Sequence, residues 1–227
     1  MRGTEIGWSR GADVPIEEYD ALYRRFNPVK FDANEWMRIA KQAGMRYVVP
    51  TAKHHDGFCL WPSSQTDYDI TASPVKRDIM GEIAKAAKRH GITMCSYYSI
   101  LDWRSPDYGT GSPGGQGKKD SPNMARHMQV VKRETEELIR NYGLKMIWFD
   151  GQWESPYTRE MSSDLNRFLR QLSPKLVINN RVESNGLLPT DPRGDYATPE
   201  QKVGSYNTEQ PWETCMTLGD QWAYKPI

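Results

Sequence analysis

Three cysteines in 227 residues, Cys59, Cys95 and Cys215, are too scattered for a CxxC or any other metal-ligand spacing. No uninterrupted apolar run approaches the length of a membrane span, and no secretory leader pattern is visible at the start. Net charge is scarce as well. Thirty Lys and Arg against 29 Asp and Glu leave +1, without a basic stripe, so nucleic acid is not the expected partner. A glycine-rich turn between a first strand and its helix is also missing, which argues against a nucleotide-binding doubly wound sheet.

Aromatic residues are plentiful. Eight Trp and twelve Tyr supply large packing surfaces and, as a weak pointer, platforms for the C–H faces of sugars. The length suits one sizeable core in one domain. Cys95 and Cys215 fall in expected strands, where a small buried hydrophobe is the ordinary role.

Helical and strand patterns alternate along the chain. Residues 31–44 read as a helix capped by Asp32, with Glu35 three positions on and Trp36, Ile39, Ala40 and Ala43 on one face. Gly44 ends it, a strand follows over 45–51, and Lys53-His-His-Asp-Gly57 forms its C-terminal loop. Further helices are expected over 77–90, 123–141 and 159–172. Strands are expected over 92–99, 144–150, 175–181 and 212–217. Such alternation predicts an α/β fold with a parallel sheet, and without the glycine turn a TIM-like (β/α) barrel is the better of the two parallel architectures. About five strands are visible where a barrel needs eight, so the chain reads as a partial barrel domain over 1–227, short at both ends. The opening ten residues read as a loop, and the open edges predict a poorly stable, weakly active chain unless the missing strands are supplied.

Chemistry is expected at the C-terminal ends of the strands. The run Leu144-Lys-Met-Ile-Trp-Phe-Asp-Gly151 stops on a carboxylate, Asp150, a candidate nucleophile or base, although an Asp-Gly pair also caps turns. Trp148, two residues earlier on the same face, should wall the same pocket. His54 and His55 are adjacent, so chelation is awkward, and two neutral imidazoles donating hydrogen bonds to substrate hydroxyls fit better. A metal site from His54, Asp56 and Asp150 is the alternative. Tyr97 and Tyr98 should point to opposite faces, and Arg181 at a strand end wants an anionic partner. Glu200 and Glu213 are the candidates for a second carboxylate, with Glu183 and Glu209 less well placed. Two carboxyls about 5 Å apart are the minimum set for retaining glycoside hydrolysis.

At these residues the chain resembles the α-L-fucosidases of glycoside hydrolase family 29. The carriers are Lys53-His-His-Asp-Gly-Phe-Cys-Leu-Trp61, Lys76-Arg-Asp78, Tyr97-Tyr-Ser99 with Leu101-Asp-Trp103, Trp148-Phe-Asp-Gly151 and Trp212-Glu-Thr-Cys215. The resemblance implies a retaining exo-enzyme that releases terminal α-L-fucose from glycans, needing no metal or cofactor. It assigns Asp150 as nucleophile and Glu200 as acid/base, with Glu213 the alternative. It also assigns Glu5, Trp8, His54, His55, Tyr97, Trp148 and Arg181 to the sugar, although Ile6 stands where the family often has an aromatic after the early glutamate. An extracellular or periplasmic location is a family expectation. The family's first barrel strand, its last strands and its C-terminal β-sandwich are expected to be missing. A catalytically impaired fucose-binding module is the competing class.

Overall fold

The computed structural model describes residues 10, 14–109, 122–185, 191, 193–203, 210–219 and 222. Glu5, Trp8 and Glu209 lie outside them. A short helix α1 (Ile16–Asp20) leads to α2 (Ala33–Gln42), β1 (Tyr47–Val48) and β2 (Thr51–Lys53). Then follow α3 (Ile79–His90), β3 (Thr93–Met94), β4 (Ser96–Ser99), α4 (Met124–Tyr142), β5 (Met146–Asp150), α5 (Arg159–Leu172) and β6 (Val177–Ile178). The strands are parallel, with β1 on β3 and the order β2-β4-β5-β6. Bridges Asn179–Tyr196, Ala197–Trp212 and Glu200–Cys215 carry the parallel series two staves further. Among the described residues this gives six curved staves of a (β/α) barrel.

The expected strands are shorter than their sequence patterns for local reasons. Pro50 has no N–H, so the 45–51 run splits into β1 and β2, and Pro50 contributes only its carbonyl to Tyr97 N–H at 2.9 Å. In the 175–181 run only Val177–Ile178 pair with β5, because Asn179 meets that strand with its side chain. Phe149 N–H donates to Asn179 Oδ1 at 2.8 Å, and Asn179 Nδ2 donates to Phe149 O at 2.9 Å. Arg181 therefore sits on a 3-10 turn, Asn180–Val182, rather than on a strand. The 212–217 run contributes bridges instead of a strand.

The helices follow their caps. Asp32, Asp78, Asn123 and Thr158 each accept a hydrogen bond from an N–H in the first turn. The buried stripe of α2 differs from the expected one. Ala33, Met37 and Ala40 face inward, while Trp36 and Ile39 are half-exposed. Small residues on the packed face let α2 lie close to α3, and Trp36 instead meets Phe31 edge-on at 4.9 Å.

Strand alternation divides the apolar residues into two layers. Ile147 and Phe149 of β5 and Tyr98 of β4 point outward to meet Met80, Val131, Leu138 and Leu169 of the helices. Each such fully buried side chain contributes roughly 1.5–3 kcal/mol. Met146 and Trp148 point inward, packed with Cys95, Tyr97 and Tyr196. The inward rows end at the C-terminal mouth, where the candidate residues collect. No helix among the described residues is long and apolar enough to cross a membrane.

Candidate active site

The strand ends open into a cavity of about 470 Å³. His54, His55, Tyr97, Trp148, Asp150, Arg181, Glu200 and Glu213 all line it, whereas Glu183, the lesser carboxylate candidate, lies away from it on Gly194 N–H and Arg193.

Asp150 ends β5 opposite Ser99 of β4 and is only 8% exposed. Two donors hold its carboxylate: Tyr97 OH at 2.7 Å on Oδ2 and Arg181 Nη1 at 2.8 Å on Oδ1. Burial, and then the Asp150 charge, push the Tyr97 hydroxyl well above its ordinary range, so it stays a donor. Gly151 follows, at φ +84°. A Cβ there would stand 2.5 Å from Leu101 Cβ, so only glycine lets the Ser99–Leu101 backbone come in against the nucleophile's strand.

Arg181 joins the two candidate carboxylates. Its Nη2 donates to Glu200 Oε2 at 2.8 Å, its Nε to Thr198 Oγ1 at 3.1 Å, and its guanidinium lies 4.6 Å over the Trp148 ring. Burial alone would lower its pKa, but Asp150 and Glu200 outweigh this and raise it. One planar fork on both acids limits their facing oxygens to a separation of about 8 Å. Glu213 is different. Burial raises its pKa against the lowering by hydrogen bonds from Tyr47 and Tyr196, so it is held between these two tyrosines.

His54 and His55 lie just past the end of β2, in a turn, and both reach the cavity even though they are adjacent. His54 stacks on Tyr97 at 5.1 Å and 15°, and Tyr97 stacks on Trp148 at 5.5 Å and 20°. His55 meets Trp103 and Trp153 edge-on. Burial lowers the His54 pKa to about 4 and that of His55 well below 6.5, so both rings are neutral. Asp56 belongs elsewhere, accepting from Tyr19 OH at 3.1 Å, and among the described residues no three His, Cys, Asp or Glu side chains could hold a metal ion together.

Several lining residues carried no signal in the sequence. Trp153 and Trp222 wall the cavity from loops, and Cys215 lines it half-buried, packed against the inward-facing cluster of Cys95, Met146, Trp148 and Tyr196. Lys53 was expected in a loop but closes β2, fully buried, with Nζ 2.7 Å from Glu134 of α4.

A parallel stave array with two carboxyls on one arginine at its C-terminal mouth puts the molecule among the (β/α)-barrel proteins that carry a polar site at the strand ends. The comparisons narrow the class: the family model described as alpha-L-fucosidase matches residues 13–227, and the chain belongs to that family. It is 28% identical over 211 residues to the alpha-L-fucosidase of Dictyostelium discoideum, covering 91% of this chain and 44% of that protein. To the human tissue alpha-L-fucosidase it is 30% identical, covering 86% and 41%. The chain thus spans less than half the length of these relatives. Among solved structures, alpha-L-fucosidase isoenzyme 1 from Paenibacillus thiaminolyticus superposes with a TM-score of 0.86 at 35% identity, covering 98% of this chain and 57% of that one. A family 29 alpha-L-fucosidase from Bacteroides thetaiotaomicron, solved as a trapped covalent intermediate with 2-fluoro-fucosyl fluoride, gives 0.83 at 32% identity, covering 97% and 54%.

Proposed function

We propose that this barrel releases terminal α-L-fucose from fucosylated glycans by double displacement, with Asp150 as nucleophile and Glu200 as acid/base. The observation that carries this is the shared guanidinium. Arg181 and Tyr97 orient the Asp150 carboxylate, and the same Arg181 sets Glu200 across the cavity. Asp150 attacks the anomeric carbon while Glu200 gives its proton to the leaving oxygen. A water deprotonated by Glu200 then displaces fucose from Asp150. Glu200 keeps 45% of its side chain open to solvent, so water has access to it for the second step. Tyr97 and Trp148, stacked in series between His54 and Arg181, form the cavity wall against which the sugar rests.

Aryl α-L-fucoside turnover, set against other aryl glycosides, tests the reaction. Mass spectrometry after a 2-fluoro-fucosyl fluoride tests the residue: the label belongs on Asp150, and a label elsewhere overturns the assignment. Asp150→Ala should lose about three or more orders of magnitude in kcat, the scale for removing a nucleophile. Azide should partly rescue Glu200→Ala and leave Glu213→Ala unrescued. The opposite pattern moves the acid/base role to Glu213, and fucose binding without any turnover points to a binding module instead.

A further inference from the structure

The two cavity histidines are held in opposite tautomers, and the groups that hold them are part of the fold. Ser99 Oγ lies 2.6 Å from the carbonyl oxygen of Leu101 and 2.6 Å from His55 Nδ1. A carbonyl only accepts, so the single hydroxyl proton goes to Leu101. The serine oxygen must then accept from Nδ1–H of His55. A neutral imidazole has one N–H, so Nε2 of His55 carries the lone pair. That atom faces the catalytic carboxylate, 3.9 Å from Asp150 Oδ2.

His54 is fixed the other way. The backbone N–H of His55 donates to His54 Nδ1 at 2.8 Å. An amide N–H only donates, so Nδ1 is the acceptor and the ring proton sits on Nε2.

We propose that Ser99 is a positioning residue that locks His55 as a hydrogen-bond acceptor, while the His55 amide locks His54 as a donor, so that the pair reads sugar hydroxyls with a fixed polarity. This rests on the fucosidase reading for its ligand, and it replaces the expectation that both imidazoles donate. A hydroxyl facing His55 must give its proton; one facing His54 must receive.

The lock is built into the strands. Ser99 is fully buried and registers with Asp150, and Ile100 N–H donates to Asp150 O at 2.8 Å, which fixes the Leu101 carbonyl behind it. A Cβ at Gly151 would stand 3.1 Å from Ser99 Oγ, so the glycine after the nucleophile also leaves room for the serine. Burial keeps both rings neutral, which a donor–acceptor pair requires. His127, the third buried histidine, donates from Nε2 to Ile100 O at 2.8 Å. His55 is therefore the one buried ring expected to carry its proton on Nδ1.

Long-range proton–nitrogen correlation spectra of ¹⁵N-histidine-labelled chain at pH 7 test this without any substrate. The expected result is an Nδ1–H tautomer for one buried ring, assigned to His55 by its loss in His55→Gln, with Nε2–H for His54 and His127. Ser99→Ala should move His55 toward the Nε2–H form and raise KM for an aryl fucoside about tenfold, with a smaller change in kcat; one neutral hydrogen bond is at stake. Ser99→Thr, which keeps the hydroxyl, should hold the native tautomer. An Nε2–H tautomer at His55 in the unaltered chain overturns the proposal whether or not any variant folds. So does a Ser99→Ala chain with native tautomer and KM. Native tautomers in a chain that turns over no fucoside support the lock and defeat the fucosidase reading.

Discussion

At the scale of single residues the site turns on Arg181, because one side chain orients both acids and lies over the Trp148 ring. A lysine could keep one of these contacts but not the fork. Arg181→Lys should therefore cost about 100-fold in kcat/KM, or roughly 2.7 kcal/mol, while the chain still folds. Steady-state kinetics check this, and a loss below about threefold would mean the two carboxyls are placed without the fork. Asp150, Trp148 and Arg181 were legible in the sequence because an apolar run that stops on a polar residue marks a strand mouth. The partners of Arg181 were not: both acids lie far off in sequence, and no spacing rule joins positions 150, 181 and 200. Ser99 was silent for a different reason. A serine in a strand looks the same whether it faces solvent, core or an imidazole, and only the Leu101 carbonyl beside it decides what it accepts.

At the scale of elements, α4 is tied to the floor of the mouth by a buried charge network. Glu134 Oε2 accepts from Lys53 Nζ at 2.7 Å and from Tyr98 OH at 2.5 Å, while Lys53 also lies 4.7 Å over the Tyr98 ring and 3.5 Å from Asp102. Lys53 precedes the two histidines, so the helix holds the strand end from which they project. Burial would lower the Lys53 pKa, but Glu134, Tyr98 and Asp102 reverse this and raise it well above its ordinary value. Glu134→Ala leaves a buried cation without its closest partner and should cost about 3–5 kcal/mol. The double variant Lys53→Met/Glu134→Leu should recover most of that loss. Urea unfolding of the two chains decides the matter, and equal losses would show that the pair's charges are not what holds α4. The elements themselves were largely legible: α5 has the bounds its pattern gave, and the cap at Asp32 stands where expected. The face of α2 was misjudged because apolar periodicity locates an arc but not what the arc touches. The packed side is the one with small residues, Ala33 and Ala40, and the large Trp36 is left half-exposed. Strand ends were overextended because side chains such as that of Asn179 can satisfy a neighbouring strand without continuing the ladder.

At the scale of the whole molecule, three of the four histidines are buried or nearly so and held neutral, which ties the fold to pH. Burial lowers His54 and His127 to about 4 and His55 well below 6.5. A group depressed in this way stabilises the fold fully above 6.5, its ordinary value, and loses that contribution as the pH falls through its folded value. Asp56 acts in the opposite sense. Burial raises it from 3.8 to about 6, so its contribution is present below 3.8 and is lost as pH rises through about 6. Glu213, also raised by burial, acts in the same direction as Asp56. Three histidines against two carboxyls leave the unfolded chain binding the larger number of protons between pH 6.5 and 4. Stability should therefore fall on acidification across this window, by about 1.4 kcal/mol per pH unit for each net proton. His127 offers the cleanest control because it lies outside the cavity, with its Nε2 on the Ile100 carbonyl. His127→Gln keeps a donor at that place and removes one titrating ring, so its denaturant midpoint should fall less steeply between pH 6.5 and 4.5 than that of the unaltered chain. Parallel slopes would show that His127 is not held neutral, and a midpoint that rises on acidification would assign control of the fold's pH response to the buried carboxyls.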